Sequence, residues 1–184
     1  MCLHGYFKLA PKPPSGIEWI FSSDSKQMMT RIIHVRTPDH YERVGKLFQL
    51  YADSLGFDLE FQDFSRELAT LPGEYAPPRG CILLAAREAE YVGCVALRPL
   101  ESRICEMKRL YVLPGFRGQK IGRDLAQGII AEARLCGYEH MRLDTIETMT
   151  EAKSLYLSLD FRPIKPYRFN PLDNPTYFEL DLRQ

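Results

Sequence analysis

The chain has 184 residues, 45% of them hydrophobic and 26% charged, a length and balance that suit one globular domain and exclude a disordered or fibrous chain. Lysine plus arginine number 24, as do aspartate plus glutamate, so no net field exists to hold a polyanion or an anionic membrane. General nucleic-acid and membrane-surface binding are therefore not expected. Five scattered cysteines without a C-x-x-C pair, and four histidines without ligand spacing, point to reduced thiols and no metal site. Apolar runs such as Cys81 to Ala86 stop well short of the roughly 20 residues that cross a bilayer.

Residues 1–29 stand apart. Pro11, Pro13 and Pro14 interrupt any apolar leader, so no secretory signal is read and a cytoplasmic protein is expected. Periodicity starts after Met28 and Met29, either of which would serve as a start. Residues 1–29 are therefore set aside as an extension and residues 30–184 as the domain.

Ile32 to Arg36 is a short β-branched run, followed by Thr37 as N-cap with Pro38 and Asp39 in a first helical turn. Tyr41, Val44, Leu47, Phe48, Tyr51 and Leu55 then recur at helical spacing up to Gly56. Phe64, Leu68 and Leu71 suggest a second, shorter helix ending at Pro72-Gly73. Cys81 to Arg87 and Tyr91 to Arg98, separated by three residues, read as a hairpin. A strand from Glu106 to Val112, a helix from Ile121 to Cys136 and a strand from His140 to Ile146 form a β-α-β unit. Thr148 and Glu151 have capping-box spacing, and Met149, Ala152, Leu155, Tyr156 and Leu159 form one helical stripe. Alternation from Thr176 to Leu182 marks a last, half-buried strand.

The stretch from Leu110 through Arg117-Gly118-Gln119-Lys120-Ile121-Gly122 runs from strand to turn to helix start. Free backbone N–H groups and a positive dipole end make such a start an anion site, and a Gly-bearing turn allows close approach. Arg117, Lys120 and Arg123 add charge there. The turn lacks both the G-K-S/T ending of a nucleoside-triphosphate loop and the G-x-G-x-x-G dinucleotide fingerprint. A surface turn that merely caps a helix is the bland alternative.

With these residues in place, the chain resembles the GCN5-related N-acetyltransferases (GNAT family), in their small bacterial-type form. The family's loop has the form R/Q-x-x-G-x-G/A and reads RGQKIG here; its later element, A-x-x-L-Y-x-x-x-G-F, reads AKSLYLSLDF from Ala152 to Phe161. The resemblance implies an α/β single domain, with a mixed, mostly antiparallel central sheet flanked by helices and splayed at its central strands. It also implies an acetyl-CoA-dependent N-acetyltransferase without a metal, often a homodimer.

On that resemblance, the amides of residues 117–122, with Arg117, Lys120 and Arg123, hold the diphosphate of acetyl-CoA, and the amide of Leu110 or Val112 polarises the thioester carbonyl. Glu106 matches the general base of the histone-modifying members; a solvated strand-end charge, or a water chain with Asp144, are the alternatives. Tyr156 matches the tyrosine that protonates the sulfur, against a plain core aromatic. Lys120 is expected in a right-handed conformation and Asp160 in a left-handed one. Met149 stands where many members carry a cofactor-contacting asparagine. Tyr51, Phe61 and Asp144, with the loop Pro166 to Pro175, are expected to line the acceptor site, the acceptor being a small primary amine such as an amino acid, polyamine or drug-like compound. A non-catalytic acyl-CoA-binding or regulatory module is the competing reading.

Overall fold

The computed structural model describes residues 19–21, 29–172 and 174–183. Eight strands form one sheet in the order β1-β2-β3-β4-β5-β6-β8-β7. They are β1 (Trp19–Phe21), β2 (Thr30–His34), β3 (Cys81–Arg87), β4 (Glu90–Pro99), β5 (Ile104–Val112), β6 (His140–Thr145), β7 (Arg162–Ile164) and β8 (Thr176–Asp181). Helices α1 (Pro38–Asp53) and α2 (Phe64–Ala69) follow β2, α3 (Ile121–Leu135) crosses from β5 to β6, and α4 (Thr150–Leu157) follows β6. Neighbouring strands are antiparallel except β5 and β6, which the α3 crossover makes parallel. This is the mixed, mostly antiparallel sheet that the resemblance implies. Of the segment set aside as an extension, residues 1–18 and 22–28 lie outside the described residues, while Trp19–Phe21 pairs along the β2 edge.

Strand β3 is apolar on consecutive positions because both its faces are covered. Leu83 and Ala85 belong to the core under α3, with Leu125, Ala126, Ile129 and Ala133. Ile82 and Leu84 belong to the opposite core under α1, with Val44, Leu47 and Phe48. Each fully buried Leu or Phe contributes about 1.5–3 kcal/mol, so these two layers fix the helices on the sheet. Thr37 caps α1 as its sequence suggests, Oγ1 accepting the His40 amide at 3.2 Å.

The box expected of Thr148 and Glu151 does not form. Met149 is the N-cap, at φ −83° and ψ 60°, and makes no side-chain cap bond. The chain turns sharply there, with the Thr150 amide donating to the Thr148 carbonyl at 3.0 Å, which delays the helix by one residue. Strand β7 has no clear signal in the sequence, being three residues long with Pro163 at its centre; the sheet edge tolerates that proline.

What positions the site is a bulge. Strands β5 and β6 pair only from Ile104 to Glu106, against His140 to Arg142, and then separate. On the other side of β5 the register slips: Ala96 lies opposite Lys108 and Cys94 opposite Tyr111, so Arg109 and Leu110 together face Val95. Arg109 adopts φ +58°, which costs a residue with a Cβ about 1–2 kcal/mol. Its guanidinium is pinned by Glu67 through two bonds of 2.9 and 2.6 Å, and lies over the Phe64 ring at 5.0 Å. The pinned bulge turns the end of β5 away from β6 and opens the sheet.

Candidate active site

The opening is a cleft of about 740 Å³, walled by β5 from Met107 to Val112, the loop before α3, Leu143 to Thr145 of β6, and α4 through Tyr156. A narrower pocket of about 50 Å³ shares Tyr51, Met107, Lys108, Arg109, Asp144, Thr145 and Met149 with it, and continues toward Phe57, Asn170 and Leu172. The cleft therefore has a wide end at the loop and a narrow end between α1 and the late loop.

At the wide end, Gly118 and Lys120 both take left-handed conformations, at φ +75° and +65°. The right-handed expectation for Lys120 is thus corrected. As the N-cap residue it must reverse the chain from an extended Arg117 into α3, and the left-handed turn is what aims the following amides into the cleft. Among the described residues, the amide N–H groups of 118 to 122 have no hydrogen-bond acceptor, whereas those of Arg123 and Asp124 already bond to the Lys120 carbonyl. Five successive free donors at a helix start form a nest for a diphosphate. Arg117, Lys120 and Arg123 line the cleft beside them. Arg117 is held by the Val112 carbonyl at 3.1 Å and lies over Tyr111.

Gln119 differs from its neighbours. Its side chain turns away from the cleft, accepting from buried Arg87 at 2.7 Å and donating to the Gly115 carbonyl at 3.4 Å. Arg87 also donates to Thr30 at 3.1 Å, so one guanidinium ties the loop to the β2–β3 pair. Nothing in the sequence pairs Arg87 with a loop 32 residues away; a buried arginine in an apolar strand is the one signal that would have found it.

At the narrow end the residues are charged and interlocked. Glu106 is wholly buried rather than a solvated strand end, and does not line the cleft. It accepts from Arg98 at 2.8 Å and from the Tyr167 hydroxyl at 2.7 Å, and pairs with Arg168 at 3.0 Å. Burial alone would raise its pKa, but Lys108 in its protonated form, the charges of Arg168 and Arg98, and the Tyr167 bond outweigh it and leave the carboxyl below its usual range. A carboxylate so engaged is a weak base, set behind the wall where an amine would sit. Arg168 also pairs with Asp144, which accepts from Asn170 at 3.0 Å. Asp144 lines both the cleft and the pocket.

Tyr51 lines both spaces, its ring edge-on to Tyr111 at 6.0 Å. Phe61 lines neither: it is 40% exposed on a short 3-10 turn, because left-handed Asp63 directs Phe64, not Phe61, into the core. Tyr156 packs between Phe161 and Phe178, with ring centroids at 5.8 and 6.0 Å, while lining the cleft. Its hydroxyl has no hydrogen-bond partner among the described residues, and burial pushes its pKa well above the usual phenol value. A phenol that stays protonated can donate and cannot act as a base. Met149 accepts the Thr145 hydroxyl on its sulfur at 3.4 Å and lines the cleft, giving an apolar surface there. Asp160 takes φ +66°, as its place before Phe161 requires.

A cleft between splayed strands, with a diphosphate nest at one end and a narrow polar pocket at the other, is the architecture of an acyl-CoA-dependent acyltransferase. The model of the acetyltransferase (GNAT) family matches residues 44–161. An uncharacterized N-acetyltransferase of Schizosaccharomyces pombe is 40% identical over 150 residues, covering 80% of this chain and 92% of that protein. The N-acetylaspartate synthetase of Mus musculus is 34% identical over 87 residues, 47% of this chain and 29% of that protein. Among solved structures, a GNAT-family acetyltransferase of Staphylococcus aureus Mu50 superposes with a TM-score of 0.69 at 24% identity, covering 84% of this chain and 99% of that one. The chain belongs to the GNAT acetyltransferase family and is an acyltransferase. The family uses acetyl-CoA, and the residues here fit it: free amides for the diphosphate, and beyond Glu106 an edge of β5 unpaired with β6 for the amide-bearing arm. Among the described residues, no helix is long and apolar enough to cross a membrane.

Proposed function

We propose that the protein transfers the acetyl group of acetyl-CoA to the primary amine of a small molecule by direct attack. The observation that carries this reading is the narrow pocket, which meets the wide cleft at Tyr51, Lys108 and Asp144 and is walled on its far side by Leu55, Phe57, Leu59 and Leu172. Its narrow, partly apolar shape suits the head of a small amine, and the mouse relative's name, a synthetase of N-acetylaspartate, is in keeping with an amino-acid-sized acceptor.

Acetyl-CoA supplies an activated acetyl group; the residues of the chain bind, orient and manage protons. The amides of 118 to 122, with Arg117, Lys120 and Arg123, hold the diphosphate. The amide of Leu110 or Val112, on the free edge past the bulge, donates to the thioester oxygen as negative charge develops there. Tyr156, protonated throughout the working range, gives its hydroxyl proton to the departing sulfur. Glu106 fixes Arg98, Tyr167 and Arg168, and through Arg168 orients Asp144 on the pocket wall. The test is a panel of amino acids, polyamines and other primary amines with acetyl-CoA, read as thiol release and amide formation. Acetylation of a small amine is the expected result, whereas transfer confined to protein N-termini or lysines would overturn the small-molecule acceptor.

A further inference from the structure

One buried nitrogen has no part in the scheme above. Lys108 is 7% exposed, at the junction of cleft and pocket, one residue before the bulge. Among the described residues its Nζ makes one hydrogen bond, to Gln62 Oε1 at 2.7 Å, and no ion pair. An ammonium has three protons to place, and a buried one without a carboxylate partner is costly; a neutral amine with one donated bond keeps a lone pair available.

The arginines around it already have carboxylate partners. Arg109 is taken by Glu67, Arg98 by Glu106 and Glu74, and Arg168 by Glu106 and Asp144. The groups facing Lys108 are Glu106 and Arg109 on β5, Asp144 on β6, Arg168 on the late loop, Glu67 on α2 and Gln62 on the 3-10 turn. Protonated, Lys108 would be a buried cation whose hydrogen-bond partner among the described residues is the neutral amide of Gln62. Burial, reinforced by Arg109 and Arg168 and opposed by Glu106 and Asp144, pulls its pKa down to about 7.

We propose that Lys108, neutral and set where the pocket meets the cleft, is the general base that accepts the proton of the acceptor ammonium. This rests on the acetyl-transfer reading of the site. The ammonium gives one proton to Nζ, and the freed nitrogen lone pair forms the C–N bond as the C–S bond breaks. The second proton, lost from nitrogen as the amide forms, passes to the Tyr156 oxygen and replaces the proton that Tyr156 gave to the sulfur. Lys108 returns its own proton to solvent through the cleft. The incoming ammonium brings the positive charge that Lys108 then holds, so the wall never carries both. Neither Glu106 nor Asp144 competes well, because each already accepts from arginine.

Two measurements on the full chain test this. With lysine labelled by carbon-13 at Cε, the resonance that disappears in Lys108→Met is expected to titrate within about one unit of pH 7; a midpoint near the ordinary lysine value of about 10.4 overturns the proposal. With any amine from the panel, kcat/KM is expected to rise with one proton's slope through about pH 7. Lys108→Met should lower it by about 10²-fold and remove that limb, and Lys108→Arg, which stays charged, should fail in the same way. Far-UV circular dichroism, expected to match the wild type, reports that both variants remain folded. A limb that persists in Lys108→Met overturns the proposal. If the wild type acetylates no amine, the acetyl-transfer reading fails, and the carbon-13 midpoint still decides whether Lys108 is neutral.

Discussion

At the wide end of the cleft, Ile121, Leu125 and Ile129 bury α3 against the sheet, so its start is held by apolar packing and its donors are left free. At the narrow end the side chains of Arg98, Glu106, Asp144, Tyr167 and Arg168 hold one another through hydrogen bonds and ion pairs. On the proposed reading, the difference follows from what each end would bind. A diphosphate needs unsatisfied backbone donors on a rigid frame, which packing supplies without occupying polar groups. An acceptor pocket needs polar groups in fixed orientations, and buried charges hold orientation only when they are paired.

The largest expected effect breaks the narrow end. Glu106→Gln leaves Arg98 and Arg168 short of their buried partner and should lower unfolding free energy by about 3–5 kcal/mol, measured in denaturant. The pH dependence has a definite sign. Because the folded carboxyl lies below its unfolded value of about 4.3, its contribution is complete above that pH and is lost as pH falls through the folded value. The variant should therefore lose less stability on acidification than the wild type.

Tyr156→Phe separates chemistry from packing where the two ends meet. The hydroxyl has no partner among the described residues, so stability should stay within about 0.5 kcal/mol, while kcat should fall about 10²-fold if the phenol supplies the sulfur's proton. At the wide end, Gly118→Val forces a β-branched residue to φ +75°. The expected cost of about 1–2 kcal/mol should appear as roughly 5- to 30-fold weaker acetyl-CoA binding by calorimetry. Phe61→Ala should be the mildest, within about 0.5 kcal/mol in stability and without effect on the KM of the amine, since Phe61 lines neither cleft nor pocket.

Helix α1 was legible because Val44, Leu47 and Phe48 repeat at helical spacing and all three are buried, with Thr37 as cap. The β3–β4 hairpin and the β5-α3-β6 crossover were legible for the same reason, as local periodicity and turn residues agree with burial. The diphosphate loop was legible as composition and spacing, but not in conformation. Lys120 turns left-handed because the chain must reverse between Arg117 and α3, a demand invisible in the residue type. The capping box at Thr148 failed because the backbone turns at Met149 before the helix begins.

By itself, the sequence determined the elements, the family and the loop, since these rest on neighbours within a few residues of one another. Only the tertiary structure decided that Glu106 is sealed among Arg98, Tyr167 and Arg168, that Arg87 braces the loop, that Phe61 points outward and that Lys108 stands unpaired at the pocket mouth. The reason is range. Charge, burial and pKa depend on partners such as Gln119 for Arg87, Gln62 for Lys108 and Arg168 for Glu106, which the fold brings from 32 to 62 residues away, and no local pattern encodes them.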